Sequence, residues 1–208
     1  MTNHETGITV VGRGTADATP DIARVDLGVS VRADSVAEAN AMATERAASL
    51  IEAVKNAGVD AADISTTGYN VHPEYDHVEG RQRLLGYRVS NDLQVVLRDL
   101  SNSGVILDEA LSAAGDEATV NGFTLAISEE APARDSAREA AWADAKRRAE
   151  QLAGLAGRSL GAVVSIVESS GSSLPPRPML RMAMAEATPI EAGSQSISVV
   201  VEVRFELV

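Results

Sequence analysis

Two histidines and three carboxylates fall within eight residues: His72, Glu74, Asp76, His77 and Glu79. Imidazole nitrogen and carboxylate oxygen together are the ligands a zinc or manganese ion takes. The spacing works against such a centre, because residues five apart on an extended strand point to opposite sides. A polar, solvated turn is the expected role. A second candidate, Gly12-Arg13-Gly14, opens like a dinucleotide-binding loop, which needs a third glycine and a following helix. Here Asp17 stands at the third position and the next element reads as a strand, so a glycine bulge or turn between two strands is expected instead. Nucleophilic catalysis finds no support: cysteine is absent, no Gly-x-Ser-x-Gly turn occurs, and Ser169, Ser170, Ser172 and Ser173 read as a flexible tether. Among 30 acidic residues no carboxylate pair stands apart with a role. No catalytic, cofactor-binding or metal-binding residue is therefore assigned, no cofactor is expected, and the chain is read as a non-enzyme.

Composition narrows the partners. The net charge is -12, from 30 acidic against 18 basic residues, with the acidic ones spread along the chain. A nucleic-acid binder needs a cationic face. The densest basic group, Lys146, Arg147 and Arg148, lies beside Asp144 and Glu150 and reads as a solvated helix face, so nucleic acid is excluded as a partner. No apolar run approaches the ~20 residues of a membrane helix. Residues 1–7 lack a basic stretch followed by an apolar one, which places the chain as given in the cytoplasm, and in the periplasm or envelope if an export signal has been removed.

The elements follow from periodicity. Val25, Leu27, Val29 and Val31 alternate with polar residues and predict a half-buried strand. Ser35 with Glu38 forms a capping box, and Val36, Ala39, Ala43, Ala47, Leu50 and Val54 recur at helical spacing until Gly58. Strands are predicted at 64–75 and 87–98 around a polar turn at 76–83. A short helix capped by Ser101 and a strand through Phe123, Leu125 and Ile127 follow. Pro132 opens the longest helix, whose inner stripe is Ala137, Ala141, Ala145, Ala149, Leu152 and Ala156 with Trp142 as its one large anchor. Strands at 162–168 and 196–207 close the chain, the last with the alternation of an interior strand. The order with Ile8–Val11 included is β-β-α-β-β-α-β-α-β-β. It predicts an α+β fold of mostly antiparallel sheet with helices packed on one face. Residues 21–128 run in the ferredoxin-like order β-α-β-β-α-β, within two intertwined subdomains at about 8–80 and 81–207.

Six stretches in sequence resemble the SIMPL domain family. They are Ile8-Thr9-Val10-Val11-Gly12-Arg13-Gly14, Pro20-Asp21-Ile22-Ala23 leading to Leu27-Gly28-Val29, and Gly86-Tyr87-Arg88-Val89-Ser90-Asn91 with Val95-Val96-Leu97-Arg98-Asp99-Leu100. The others are the alanine helix around Ala137-Arg138-Glu139-Ala140-Ala141 and Ala143-Asp144-Ala145, and Pro189-Ile190-Glu191-Ala192-Gly193 before the last strand. The likeness spans residues 8–207 as one domain. It implies bacterial proteins that are often exported, some assembling into large homo-oligomers and some linked to oxidative-stress defence, with no established catalytic residues to carry over.

One segment demands a surface to cover. The arm at 171–195 holds four of the seven prolines, which preclude a regular helix or inner strand, and three of the five methionines. Its Leu174, Met179, Leu180, Met182, Met184 and Ile190 are expected to take part in an oligomer contact, methionine being adaptable at surfaces that repack on association. The expected function is a non-catalytic, self-associating structural or interaction protein of the SIMPL family, connected with the envelope or oxidative-stress defence. The alternative is a small-molecule or peptide binding module with a cleft between subdomains.

Overall fold

The computed structural model describes residues 7–78, 81–170 and 193–208. Its elements are β1 (Gly7–Ala18), β2 (Ile22–Ala33), α1 (Val36–Asn56), β3 (Ile64–Val78), β4 (Arg81–Leu97), α2 (Ser103–Ala114), β5 (Ala118–Ala126), α3 (Ala131–Leu155), β6 (Leu160–Ser170) and β7 (Gln195–Leu207). The class is α+β with two antiparallel sheets, and the strands and helices come in the order the periodicity predicts. Two compact units divide the described chain: a continuous one, Asp21–Ala126, and a split one from residues 7–20, 127–170 and 193–208. The boundaries therefore fall after Pro20 and Ala126 and not near residue 80. The physical reason is the β3–β4 hairpin, whose register from Ile64–Val95 to Val78–Arg81 holds both sides of residue 80 in one sheet.

In the continuous unit the sheet order is β3-β4-β2-β5. Val25, Leu27, Val29 and Val31 of β2 are at most 1% exposed and pack with Val89, Leu93, Val95 and Leu97 of β4 beneath α1 and α2. α1 starts where Ser35 Oγ accepts from Glu38 N at 3.2 Å, and it buries Ala39, Ala43, Ala47, Leu50 and Val54. Val36, at the first helical position, stays exposed. Ser101 does not cap α2. It donates its own main-chain N–H, at 3.1 Å, and its hydroxyl to Asp99, which caps a 3-10 turn over Leu100–Asn102 ahead of the helix.

The predicted turn at 76–83 is mostly strand. Tyr75 pairs with Leu84 and Asp76 with Arg83, an apolar and an opposite-charge cross-strand pair that extend the ladder to Val78 and Arg81.

In the split unit the order is β1-β7-β6, with β7 central as its alternation predicts. Val199, Val201, Val203 and Phe205 face α3, whose rings meet through Trp142 and Phe205 with centroids 6.1 Å apart. The buried stripe of α3 is Ala137, Ala141, Ala145, Ala149 and Ala153. Leu152, predicted on this stripe, lies exposed, because the contact repeats strictly every four residues and passes to Ala153.

This stripe explains Gly12 and Gly14. Both lie inside β1 and not in a turn or bulge. A Cβ on Gly12 would come 2.1 Å from the carbonyl oxygen of Ala141, and one on Gly14 would come 2.0 Å from that of Ala137. The two glycines and the alanines opposite let helix and strand backbones touch.

Candidate interaction surfaces

The residues with chemical potential are mostly committed to structure. Glu74 receives Arg88 Nε at 2.5 Å and lies 3.8 Å from Arg32; the Arg88 guanidinium holds its carboxyl below the usual range. His72, Glu74, Asp76 and His77 stand on strand β3, where alternation separates His72 from His77. Glu79 lies outside the described residues. Among the described residues no group of three histidine, aspartate or glutamate side chains is placed to hold a metal ion. The Gly12-Arg13-Gly14 stretch offers no phosphate cradle, since its glycines are filled by helix backbone.

The basic run on α3 is paired as expected. Asp144 takes Arg148 at 2.8 Å and Arg147, while Lys146 lies 3.9 Å from Glu150. Asp144 also accepts the main-chain N–H of Arg13 at 3.1 Å, a donor on the outer edge of β1. Its carboxyl is held low by Arg148 first and by that N–H next. One main-chain donor on that edge of the sheet is thereby occupied.

Among the described residues the other edge has no such main-chain contact, although its strand is bulged between Leu160 and Val163 and between Val163 and Ser165. Among the described residues β6 pairs only with β7. Its Val163, Val164, Ile166 and Val167 are between 42% and 56% exposed, and the neighbours Ile166 and Val167 point to opposite faces. Residues 159–167 carry no charge and no proline. A single charge returns at Glu168, which accepts Arg138 Nε at 2.7 Å and is held below the usual carboxylate range by it, while Arg138 is raised. Ser169 and Ser170, predicted as tether, are still strand because they pair with Val200 and Val199. Sequence reasoning reads this stretch as a strand and misses its exposure. The missed signal is the absence of polar alternation in a strand that only one neighbour covers.

Two further features belong to the continuous unit. The three tyrosines of the chain all sit on one hairpin, and the alternation and the Pro73–Tyr87 pairing put Tyr69, Tyr75 and Tyr87 on one face. Tyr69 and Tyr75 are half exposed, and the Tyr69 hydroxyl donates to Asn40 Oδ1 on α1. A hollow of about 400 Å³ lies between the end of α1, the end of β4 and the start of α2. Its charged groups are already engaged: Arg98 binds Asp63 in two places at 2.6 and 2.7 Å, Asp60 accepts Ala62 N, and Asp99 accepts Ser101 N. Leu174, Met179, Leu180, Met182, Met184 and Ile190, expected at an oligomer contact, lie outside the described residues.

Comparison with known proteins agrees with the motifs. The model of the SIMPL family, described as a protein of unknown function (DUF541), matches residues 8–205. The 26 kDa periplasmic immunogenic protein of Brucella melitensis is 35% identical over 100% of this chain and 87% of its own length. The uncharacterized protein YggE of Escherichia coli K12 is 35% identical over 89% of this chain and 74% of its own length. A YggE of Edwardsiella ictaluri is 36% identical over 83% and 72%.

Proposed function

The chain belongs to the SIMPL family, and from that premise we propose that it is a non-catalytic structural or interaction protein that acts by associating with itself. The observation that supports this reading is the β6 edge, where four β-branched side chains are about half exposed on both faces of a strand that, among the described residues, only β7 pairs. Natural proteins blunt such edges with charge, proline or bulges; β6 is bulged around Val163 but carries neither charge nor proline from 159 to 167. The periplasm or envelope is the compartment this reading assigns, because the Brucella relatives are named as periplasmic proteins. A connection with oxidative-stress defence belongs to the same proposal, as does a share of the contact for residues 174–190.

Light scattering on the full chain tests the central claim. A mass of two or more copies at micromolar concentration is the expected result, and a monomer at high micromolar concentration refutes it. Peroxide sensitivity of a strain lacking the protein tests the stress connection.

A further inference from the structure

Self-association does not say which surfaces meet, and the following rests on that reading. We propose that a second copy of this chain adds its own β6 antiparallel to this one, edge to edge, with a two-fold axis at Ser165. The two three-stranded sheets then become one sheet of six strands.

The two edges of the split-unit sheet are unlike. At β1 a carboxylate of α3 occupies a main-chain donor. At β6, among the described residues, nothing but β7 pairs with the strand, and its apolar side chains stand out on both faces. A strand of this composition, without charge or proline from 159 to 167, has the properties of one that accepts another strand.

Charge identifies the incoming strand. Each copy carries -12, so two copies repel almost everywhere except along an uncharged stretch. A basic partner would be drawn to the acidic surface, and this strand offers it no countercharge. The order Val163-Val164-Ser165-Ile166-Val167 reads nearly the same in both directions. An antiparallel copy therefore sets β-branched side chains against β-branched side chains, the favourable cross-strand combination, in a self-complementary contact. Glu168, opposite Ala162 of the other copy, is held by Arg138 within its own chain and brings no unpaired charge to the contact.

The chain has no cysteine, which makes single-cysteine variants clean reporters. With strands about 4.8 Å apart and a rise of about 3.3 Å per residue, the axis brings two copies of residue 165 within about 8 Å and leaves two copies of residue 162 more than about 20 Å apart. Full-length Ser165→Cys is expected to give a covalent dimer with a short bis-maleimide, and Ala162→Cys is not. Ile166→Lys places like charges beside the axis and is expected to weaken association by more than ~10-fold by light scattering, with an unchanged melting curve at low concentration. An associated wild-type chain in which Ser165→Cys cross-links no better than Ala162→Cys, or in which Ile166→Lys keeps the wild-type mass, overturns the β6 pairing and leaves self-association standing. A monomeric wild-type chain overturns both.

Discussion

Replacing Gly14 by alanine adds one methyl group where β1 and α3 leave no room for it. The new carbon would stand 2.0 Å from the Ala137 carbonyl oxygen and 2.3 Å from the Ala141 nitrogen. Both are backbone atoms of α3, so no side chain can swing away. The helix must lift by about 1 Å before the contact reaches distances that packed interiors tolerate, and the whole alanine stripe lifts with it. Overpacking costs about 1–3 kcal/mol, and without rotamer relief the upper end, about 3 kcal/mol, applies. For a chain of this size that lowers the melting temperature by roughly 6–12 °C. Gly154, also on α3, is the control, since an added Cβ meets nothing within 4 Å. Gly154→Ala is expected to raise stability by about 0.5–1 kcal/mol through helix propensity. The assay is thermal unfolding followed by circular dichroism. A Gly14→Ala melting point within about 2 °C of wild type refutes the close-contact reasoning, as a stability change this small is typical of an ordinary surface site.

Three other outcomes follow from described contacts. Ser35→Ala removes the acceptor for Glu38 N and is expected to cost about 1 kcal/mol in denaturant unfolding; an unchanged midpoint argues that the cap is idle. Arg98 holds Asp63 below the ordinary 3.8 of an aspartate. A lowered folded-state pKa contributes stability that is present above the unfolded value and lost as pH falls through the folded one. Asp63→Asn should therefore flatten the melting temperature between pH 5 and 2, relative to wild type, and leave its slope near neutrality unchanged; equal acid slopes for the two would count against the pair. If copies meet along the uncharged strand, screening of the -12 charges should strengthen association between about 50 and 500 mM salt, whereas contacts between opposite charges would weaken. Sedimentation at both salt concentrations distinguishes the two.

The fold was legible where one residue and its near neighbours settle the matter. Ser35 three residues before Glu38 marks a helix start whatever surrounds it, and the alternation of β2 and β7 needs only a wet face and a dry one. What sequence could not supply was the identity of distant neighbours. Gly12 looks like a turn glycine until α3, about 130 residues on, is laid across it. The stretch from Val163 to Val167 has the composition of a buried strand, and only the sheet order reveals that, among the described residues, one side lacks a neighbour. His72 and His77 were separable because alternation within one strand is local, while the pairing of Glu74 with Arg88 depends on hairpin register.

The pairing of Gly7 with Glu206 and of Ala18 with Gln195 has a consequence for the order of assembly. The continuous unit, Asp21–Ala126, has all four of its strands once residue 126 has left the ribosome. β1, in contrast, pairs among the described residues only with β7 and waits until that strand is made. At about 5–20 residues per second it remains unpaired for roughly ten seconds or more, with Val10 and its neighbours uncovered. β1 and β7 are thus joined last, and any event that removes β7 leaves β1, β6 and α3 without the strand that unites them, while the continuous unit keeps every strand of its sheet.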